Sequence, residues 1–229
     1  MTENPWTQLR ELTAARIALG RAGHSLPTRE LLAFQLAHAR ARDAVHHSLD
    51  VGAFEGIVLR SAARDRATYL RRPDLGRRLD PESANRLTRG DWDAVLIVAD
   101  GLSATAVDRH AMPLINALRA QLGGWRIAPL CIVEQGRVAI GDEIGERIGA
   151  KLAVVMIGER PGLSSPDSLG VYLTWAPRVG RTDAERNCVS NIRPEGLEPA
   201  AAAMRVAMLM RAARERQLTG VLHTSRLLG

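Results

Sequence analysis

Six histidines, two cysteines and a scatter of carboxylates are the side chains here that could ligate, attack or move protons. His38, Arg42 and His46 recur at i, i+4 and i+8, and Asp43 stands four residues before His47, so each set shares a helix face. Two such side chains could share a metal, but catalytic zinc usually takes three protein ligands and no third accompanies them. A polar helix face is the expectation. Cys131 and Cys188 lie in different segments with no CxxC spacing and no histidine nearby, which argues against a zinc site and a disulfide framework. Cys188, within Arg186-Asn187-Cys188-Val189-Ser190-Asn191, has no general base beside it and reads as a small buried residue before a nucleophile. Gly162-Leu163-Ser164-Ser165 lacks the second glycine of a nucleophile elbow. One glycine follows the first apolar run, in place of G-x-G-x-x-G, and no P-loop lysine follows, so NAD and ATP are poor candidates. Gly141, Gly145 and Gly149 form one helical stripe of small residues and predict close helix–sheet packing.

The elements that must position these residues fall into two stretches. Before residue 91 the chain reads as helical. One helix is predicted over 7–19, stopped by Gly20 and Gly23, and a second follows Thr28 as N-cap. A third, short helix is predicted over 53–69. A charged Pro- and Gly-bearing linker follows over 71–78, then a helix start at Asp80-Pro81-Glu82-Ser83. From Asp91 the pattern changes to short β-branched runs: strands over 92–100, 127–135, 151–159 and 169–177, with helices over 102–121, 142–149 and 199–217. Alternation of strand and helix is the signature of βαβ units. The expected fold is α/β, a Rossmann-like open sheet over 91–229 preceded by a smaller helical region over 1–90.

Ligands in open α/β sheets bind outside the carboxyl ends of the strands. Those ends are Asp100-Gly101-Leu102-Ser103, Glu134-Gln135-Gly136-Arg137 and Gly158-Glu159-Arg160-Pro161-Gly162. Each combines charge with glycine, so the three could line one crevice or be ordinary turns.

Composition narrows the classes. The 229 residues are 46% hydrophobic and 24% charged, enough to bury a core and too apolar for a disordered chain. No apolar run is long enough to predict a membrane span, and the N-terminal residues do not resemble a signal peptide. Lys+Arg is 31 against Asp+Glu 25, a formal charge of +6. Lys151 is the lone lysine. Nucleic-acid sites usually show dense basic patches with stacking aromatics. Here aromatics are 3% and arginines alternate with acids, as in Arg64-Asp65-Arg66, so a solvated, salt-bridged face or a protein-facing surface is expected.

Five stretches together are more particular than any of these motifs. They are NPWTQLRELTAARIALGRAGHSLPTRELLAFQLAHARARDAVH (4–46), WDAVLIVADGLSATAV (92–107), GRVAIGDEIGE (136–146), IGERPGLSSPDSLGVYLTW (157–175) and RNCVSNIRPEGL (186–197). Through them the chain resembles the small (light) subunit of adenosylcobalamin-dependent ethanolamine ammonia-lyase. The resemblance implies a hetero-oligomer with a large TIM-barrel subunit that holds ethanolamine. It also implies adenosylcobalamin between the two subunits, against a Rossmann-like domain of the small one, with the region before residue 91 packing on the partner. Cobalt–carbon homolysis then starts a radical reaction that gives acetaldehyde and ammonia, the cofactor carrying the chemistry. The family's corrinoid-binding positions carry over to Val138 in GRVAIGDEIG, Glu159 in IGERPGL and Cys188 in RNCVSNI. Glu159 would accept from a corrin amide, Val138 would pack on the apolar ring edge, and Cys188 would be a small polarizable contact. Relatives often carry a longer N-terminal extension linked to packaging in a bacterial microcompartment. Only Met1, Thr2 and Glu3 precede the shared region here, so plain cytoplasmic residence gains weight.

Two other classes compete. A stand-alone Rossmann-like nucleotide-binding regulator is opposed by the missing glycine fingerprint. A basic nucleic-acid-binding module would bind with a steep salt dependence. Neither nucleic acid nor membrane is an expected partner.

Overall fold

The computed structural model describes residues 5–13, 15–20 and 23–220. His223 and Met1, Thr2 and Glu3 lie outside the described residues.

Six strands form one mixed sheet: β1 (Ile57–Arg60), β2 (Trp92–Ala99), β3 (Cys131–Glu134), β4 (Ala150–Gly158), β5 (Leu169–Trp175) and β6 (Asn187–Ile192), in the order β1-β3-β2-β4-β5-β6. The β1–β3, β3–β2 and β2–β4 pairs are parallel, and β5 is antiparallel to both its neighbours. The helices are α1 (Pro5–Glu11), α2 (Thr28–His46), α3 (Arg66–Arg71), α4 (Pro81–Asn85), α5 (Ala104–Gln121), α6 (Ile140–Ile148) and α7 (Pro199–Arg216). The α/β expectation holds.

The alternation of side chains along each strand sorts the core into two layers. Ala94, Leu96 and Val98 of β2 and Leu152, Val154 and Met156 of β4 pack against α5 and α7. Val95, Ile97 and Ala99, with Ala153 and Val155, face Ile140, Ile144 and Ile148 of α6. Strands buried on both faces read as continuous apolar runs, which is why β2 and β4 were legible. The glycine stripe does what its spacing predicts. A Cβ at Gly141 would overlap Val155 of β4, and one at Gly145 would overlap Pro177 just after β5, so glycine lets α6 lie this close to the sheet. Gly149 ends α6 in the left-handed conformation, φ 79°.

Several local expectations are corrected. The helix predicted over 53–69 is absent: Ile57–Arg60 is a strand in the central sheet, and helix begins only at Arg66. Pairing with β3 decides this, because Gly56 lies where a Cβ would overlap the Leu130 carbonyl and the Ile57 N–H donates to that carbonyl at 2.7 Å. A sheet member therefore precedes residue 80, against the expectation of a wholly helical first stretch. The segment 71–78 is no free linker, since Gly76 is buried and accepts at 2.7 Å from the Arg137 N–H. The first helix stops at Glu11, where Thr13 Oγ1 takes the Ala15 N–H at 3.1 Å and competes with the helix. Thr28 is the first residue of α2, and the cap is Pro27, without a side-chain bond. β3 is shorter than predicted because Pro129 has no N–H for a ladder. β6 was not predicted.

Much of the arginine-rich surface resolves into pairs with acids: Arg60–Glu134, Arg72–Asp74, Arg109–Asp167 and Arg147–Glu143. His47 Nε2 meets Asp108 at 2.7 Å, tying the end of α2 to α5. No helix among the described residues is long and apolar enough to cross a membrane.

Candidate functional site

The strand order reverses about β2, with β3 on one side and β4 on the other. The connections leaving β2 and β3 run to α5 and α6 on opposite faces of the sheet, which opens a crevice at the carboxyl ends. It has a volume of about 430 Å³ and is lined by Gly101 and Leu102 after β2, Arg137 and Val138 after β3, and Ile157, Gly158, Glu159 and Arg160 of β4 and beyond. Tyr69 and Tyr172 complete it.

Its floor is built by close backbone approach. Gly101 has φ 58°, and a Cβ there would overlap the Gly158 carbonyl. A Cβ on Gly158 would overlap the Ser103 carbonyl. The Leu102 N–H donates to Gly158 O at 3.0 Å across this seam. Beneath it lies Asp100, almost wholly buried. Its carboxylate accepts from the Gln135 N–H at 2.9 Å and the Gly136 N–H at 3.0 Å, with Arg66 Nη1 at 3.4 Å. Burial raises its pKa to about 6, against the pull of those N–H groups and Arg66. Asp100 thus fixes the β3–α6 loop, including Gln135 at φ 58°, to the end of β2.

Tyr69 braces the same loop. Its buried hydroxyl donates to Gly136 O at 2.9 Å. The Arg66 and Arg137 guanidinium carbons lie 4.9 and 4.3 Å from its ring centroid. Burial raises the Tyr69 pKa, so the hydroxyl remains a donor.

On the other wall, Glu159 continues from β4. Its N–H donates to Ser168 O at 2.9 Å. Its Oε2 accepts from the Ser168 hydroxyl and, at 3.2 Å, from the Asn191 N–H, linking the ends of β4 and β6. Cys188 pairs with Tyr172 in the β5–β6 register. It is exposed, which corrects the expectation of a buried cysteine: β6 buries Asn187, Val189 and Ile192 and turns Cys188 and Ser190 outward. Partial desolvation still holds its thiol above the ordinary value. β6 is anchored by a buried bidentate pair, Arg186 Nη1 and Nη2 each 2.7 Å from the Asp142 carboxylate on α6. Thr174 Oγ1 and Arg181 O accept further bonds from Arg186 at 2.8 and 3.1 Å.

Of the three sequence-expected residues, Val138 and Glu159 line the crevice, and Cys188 stands on the open strip beside it through Tyr172. Sequence reasoning missed Tyr69, Arg66, Tyr172 and the Asp142–Arg186 pair. A larger cleft, about 640 Å³, opens between α2, α5 and the 164–167 loop. It contains none of the three residues and is lined largely by charged groups already paired, such as Arg109 with Asp167 at 2.7 Å.

Residues 3–223 match the family described as ethanolamine ammonia-lyase light chain (EutC). The ethanolamine ammonia-lyase small subunit of Azotobacter vinelandii is 61% identical over 239 residues, covering 96% of this chain and 88% of that protein. The small subunit from Ralstonia nicotianae is 60% identical over 241 residues, with 97% and 88% covered. That of Pseudomonas syringae pv. tomato is 57% identical over 235 residues, with 95% and 82% covered.

Proposed function

The chain belongs to the ethanolamine ammonia-lyase light-chain family, and from that premise we propose that it is the cobalamin-holding subunit of an ethanolamine ammonia-lyase. It works in a hetero-oligomer with a large TIM-barrel subunit, and the complex converts ethanolamine to acetaldehyde and ammonia. The six-stranded unit, which takes in β1 and α3 as well as the strands and helices after residue 91, forms the Rossmann-like cobalamin-binding part, and the helical region before β1 packs on the partner. Cytoplasmic residence, with or without packaging in a microcompartment, belongs to the same reading. The observation that carries it is the crevice at the strand reversal, with Val138 and Glu159 on opposite walls and Cys188 on the adjoining strip.

The residues present fit one side of a corrinoid. Val138, Leu102, Ile157 and the Tyr172 ring offer apolar surface to a ring edge. The corrin rim carries amides, which need both donors and acceptors. Glu159 Oε1 accepts no hydrogen bond from the described residues and is an acceptor. Arg137 Nε, on the facing wall, is a buried donor without a partner. A corrinoid is far larger than a 430 Å³ crevice, so the crevice takes one edge and the exposed Cys188, Ser190 and Asn191 extend the seat. When bound, adenosylcobalamin supplies the radical chemistry. The share of this chain is to grip the rim, orient the ring and close one side from water. Ser168 and the Asn191 N–H hold the Glu159 carboxylate in place for that task.

The test is Glu159→Ala in the complex reconstituted with the large subunit. A lost hydrogen bond to a charged group corresponds to about a ten- to hundredfold rise in the apparent KM for adenosylcobalamin. The turnover number at saturating cofactor is expected to fall much less. A KM unchanged within about twofold would reject the contact. The isolated chain is expected to turn over no ethanolamine.

A further inference from the structure

Arg137 is the one arginine on the crevice wall that the fold itself holds in place and leaves without an acceptor. Its backbone is pinned by the N–H bond to Gly76 O at 2.7 Å. Its stem fills the space that a Cβ on Gly76 would take, since such an atom would sit 2.8 Å from Arg137 Cγ and 2.9 Å from the Tyr69 ring. Its guanidinium carbon sits over the Tyr69 ring, 4.3 Å from the centroid. Arg66, on the same ring, has acceptors for Nε in Val45 O at 2.7 Å and for Nη1 in Gly101 O at 2.8 Å, its Nη2 alone being buried without a partner. Arg137 has neither a hydrogen-bond acceptor nor a carboxylate within 4.0 Å among the described residues, and its Nε is buried. Arg160, its neighbour in the lining, is exposed and can be hydrated. A buried guanidinium N–H without an acceptor is costly, and arginine presents its donors as a planar fork suited to an oxygen acceptor.

We propose that Arg137 is a ligand-binding residue whose fork donates to an oxygen of the corrinoid seated in the crevice, opposite Glu159. The inference rests on the cobalamin reading above and adds a donor to it. The crevice then offers an acceptor on one wall and a donor on the other, the complement of a primary amide. Two oxygens of a cobalamin have the right chemistry, a ring amide carbonyl and the phosphate of the nucleotide loop.

The experiment measures the Kd of cyanocobalamin and of dicyanocobinamide by ultrafiltration, with the reconstituted complex carrying wild-type chain, Arg137→Met, Arg137→Lys or Glu159→Ala. Arg137→Met keeps an apolar stem and is expected to weaken cyanocobalamin binding about ten- to hundredfold. Arg137→Lys, which keeps the charge and loses the fork, is expected to weaken it about fivefold or more. Equal losses toward cobinamide, which keeps the ring amides and lacks the phosphate, assign the acceptor to an amide. A loss confined to cyanocobalamin assigns it to the phosphate. If Arg137→Met binds within twofold of wild type while Glu159→Ala binds weakly, the inference fails and the crevice reading stands. If the wild-type complex binds neither corrinoid, or none of the variants alters binding, the crevice reading fails and takes this one with it. Should Arg137→Met not fold, Arg137→Lys decides: wild-type affinity overturns the proposal.

Discussion

The buried pair between Asp142 and Arg186 gives the sharpest test of how the site is held. The two side chains are 3% and 2% exposed, so neither charge is solvated. Arg186 directs Nη1 and Nη2 at the two carboxylate oxygens, both at 2.7 Å, and finds further acceptors in Thr174 and Arg181. Asp142→Ala removes the buried anion beside the guanidinium and leaves two neutral acceptors and, 3.4 Å from Nε, the exposed and water-screened Asp183 carboxylate. Breaking such a pair typically costs about 3–5 kcal/mol, because the remaining charge stays buried and uncompensated. For a chain of this size that corresponds to a Tm lower by roughly 6–20 °C, at about 2–4 °C per kcal/mol. Replacing both partners, Asp142→Leu with Arg186→Met, removes both desolvation penalties and is expected to recover most of the loss. The measurement is a double-mutant cycle from urea melts of wild type, Asp142→Leu, Arg186→Met and the double variant, with Asp142→Ala melted alongside. A loss below about 1 kcal/mol in Asp142→Ala would refute the reasoning, since it would mean that Arg186 reaches water. A double variant no better than the sum of the singles would refute it equally.

Three further outcomes are expected. Asp100 has its folded pKa raised to about 6 from the ordinary 3.8, so its contribution to stability is fully present below about pH 3.8 and is lost as pH rises through about 6. Between those limits wild type should lose stability relative to Asp100→Asn by about 1.4 kcal/mol per pH unit, and parallel stability–pH curves would reject the shift. Cys188 is exposed with a raised pKa, so iodoacetamide should modify it slowly at neutral pH, faster in Asp142→Ala and not at all once cobalamin is seated; equal rates in all three, by mass spectrometry, would contradict its placement beside the crevice. Leu32 and Leu36 on α2 are 58% and 53% exposed, so Leu32→Glu with Leu36→Glu should leave the melt of the chain within about 1 kcal/mol of wild type. The same pair should abolish assembly with the large subunit in size-exclusion chromatography, and normal assembly would remove α2 from the interface.

What could be read from the residues alone follows their mode of burial. β2 and β4 are covered on both faces and announce themselves as apolar runs. β1 has four residues, and its identity depends on β3, more than seventy positions away. β6 alternates buried Asn187 and Val189 with exposed Cys188 and Ser190, so its hydrophobic signal is half that of a core strand. Glu159 could be placed at a strand end by the alternation of elements, whereas Val138, one residue past the Glu134–Arg137 cluster, and the corrinoid itself come only by family resemblance. Tyr69 carried no local signal. It lies in a stretch that reads as helix, and its partner Gly136 is 67 residues on.

The buried polar groups that hold the site share a pattern. Asp100, Tyr69 and the Asp142–Arg186 pair are buried groups that carry polar atoms. Each joins two chain segments: Asp100 joins β2 to the loop after β3 and Tyr69 joins α3 to that loop, both at the carboxyl edge, while Arg186, just before the start of β6, joins that strand to α6. Burying polar groups there costs stability that an apolar core would not. What the fold gains is fixed separation between Val138, Glu159 and Cys188, which stand on three elements with no direct bond among them. A rigid rim of this kind binds without first paying to order its own loops, and that suits a subunit whose proposed part is to hold a large ring still while the chemistry proceeds against its partner.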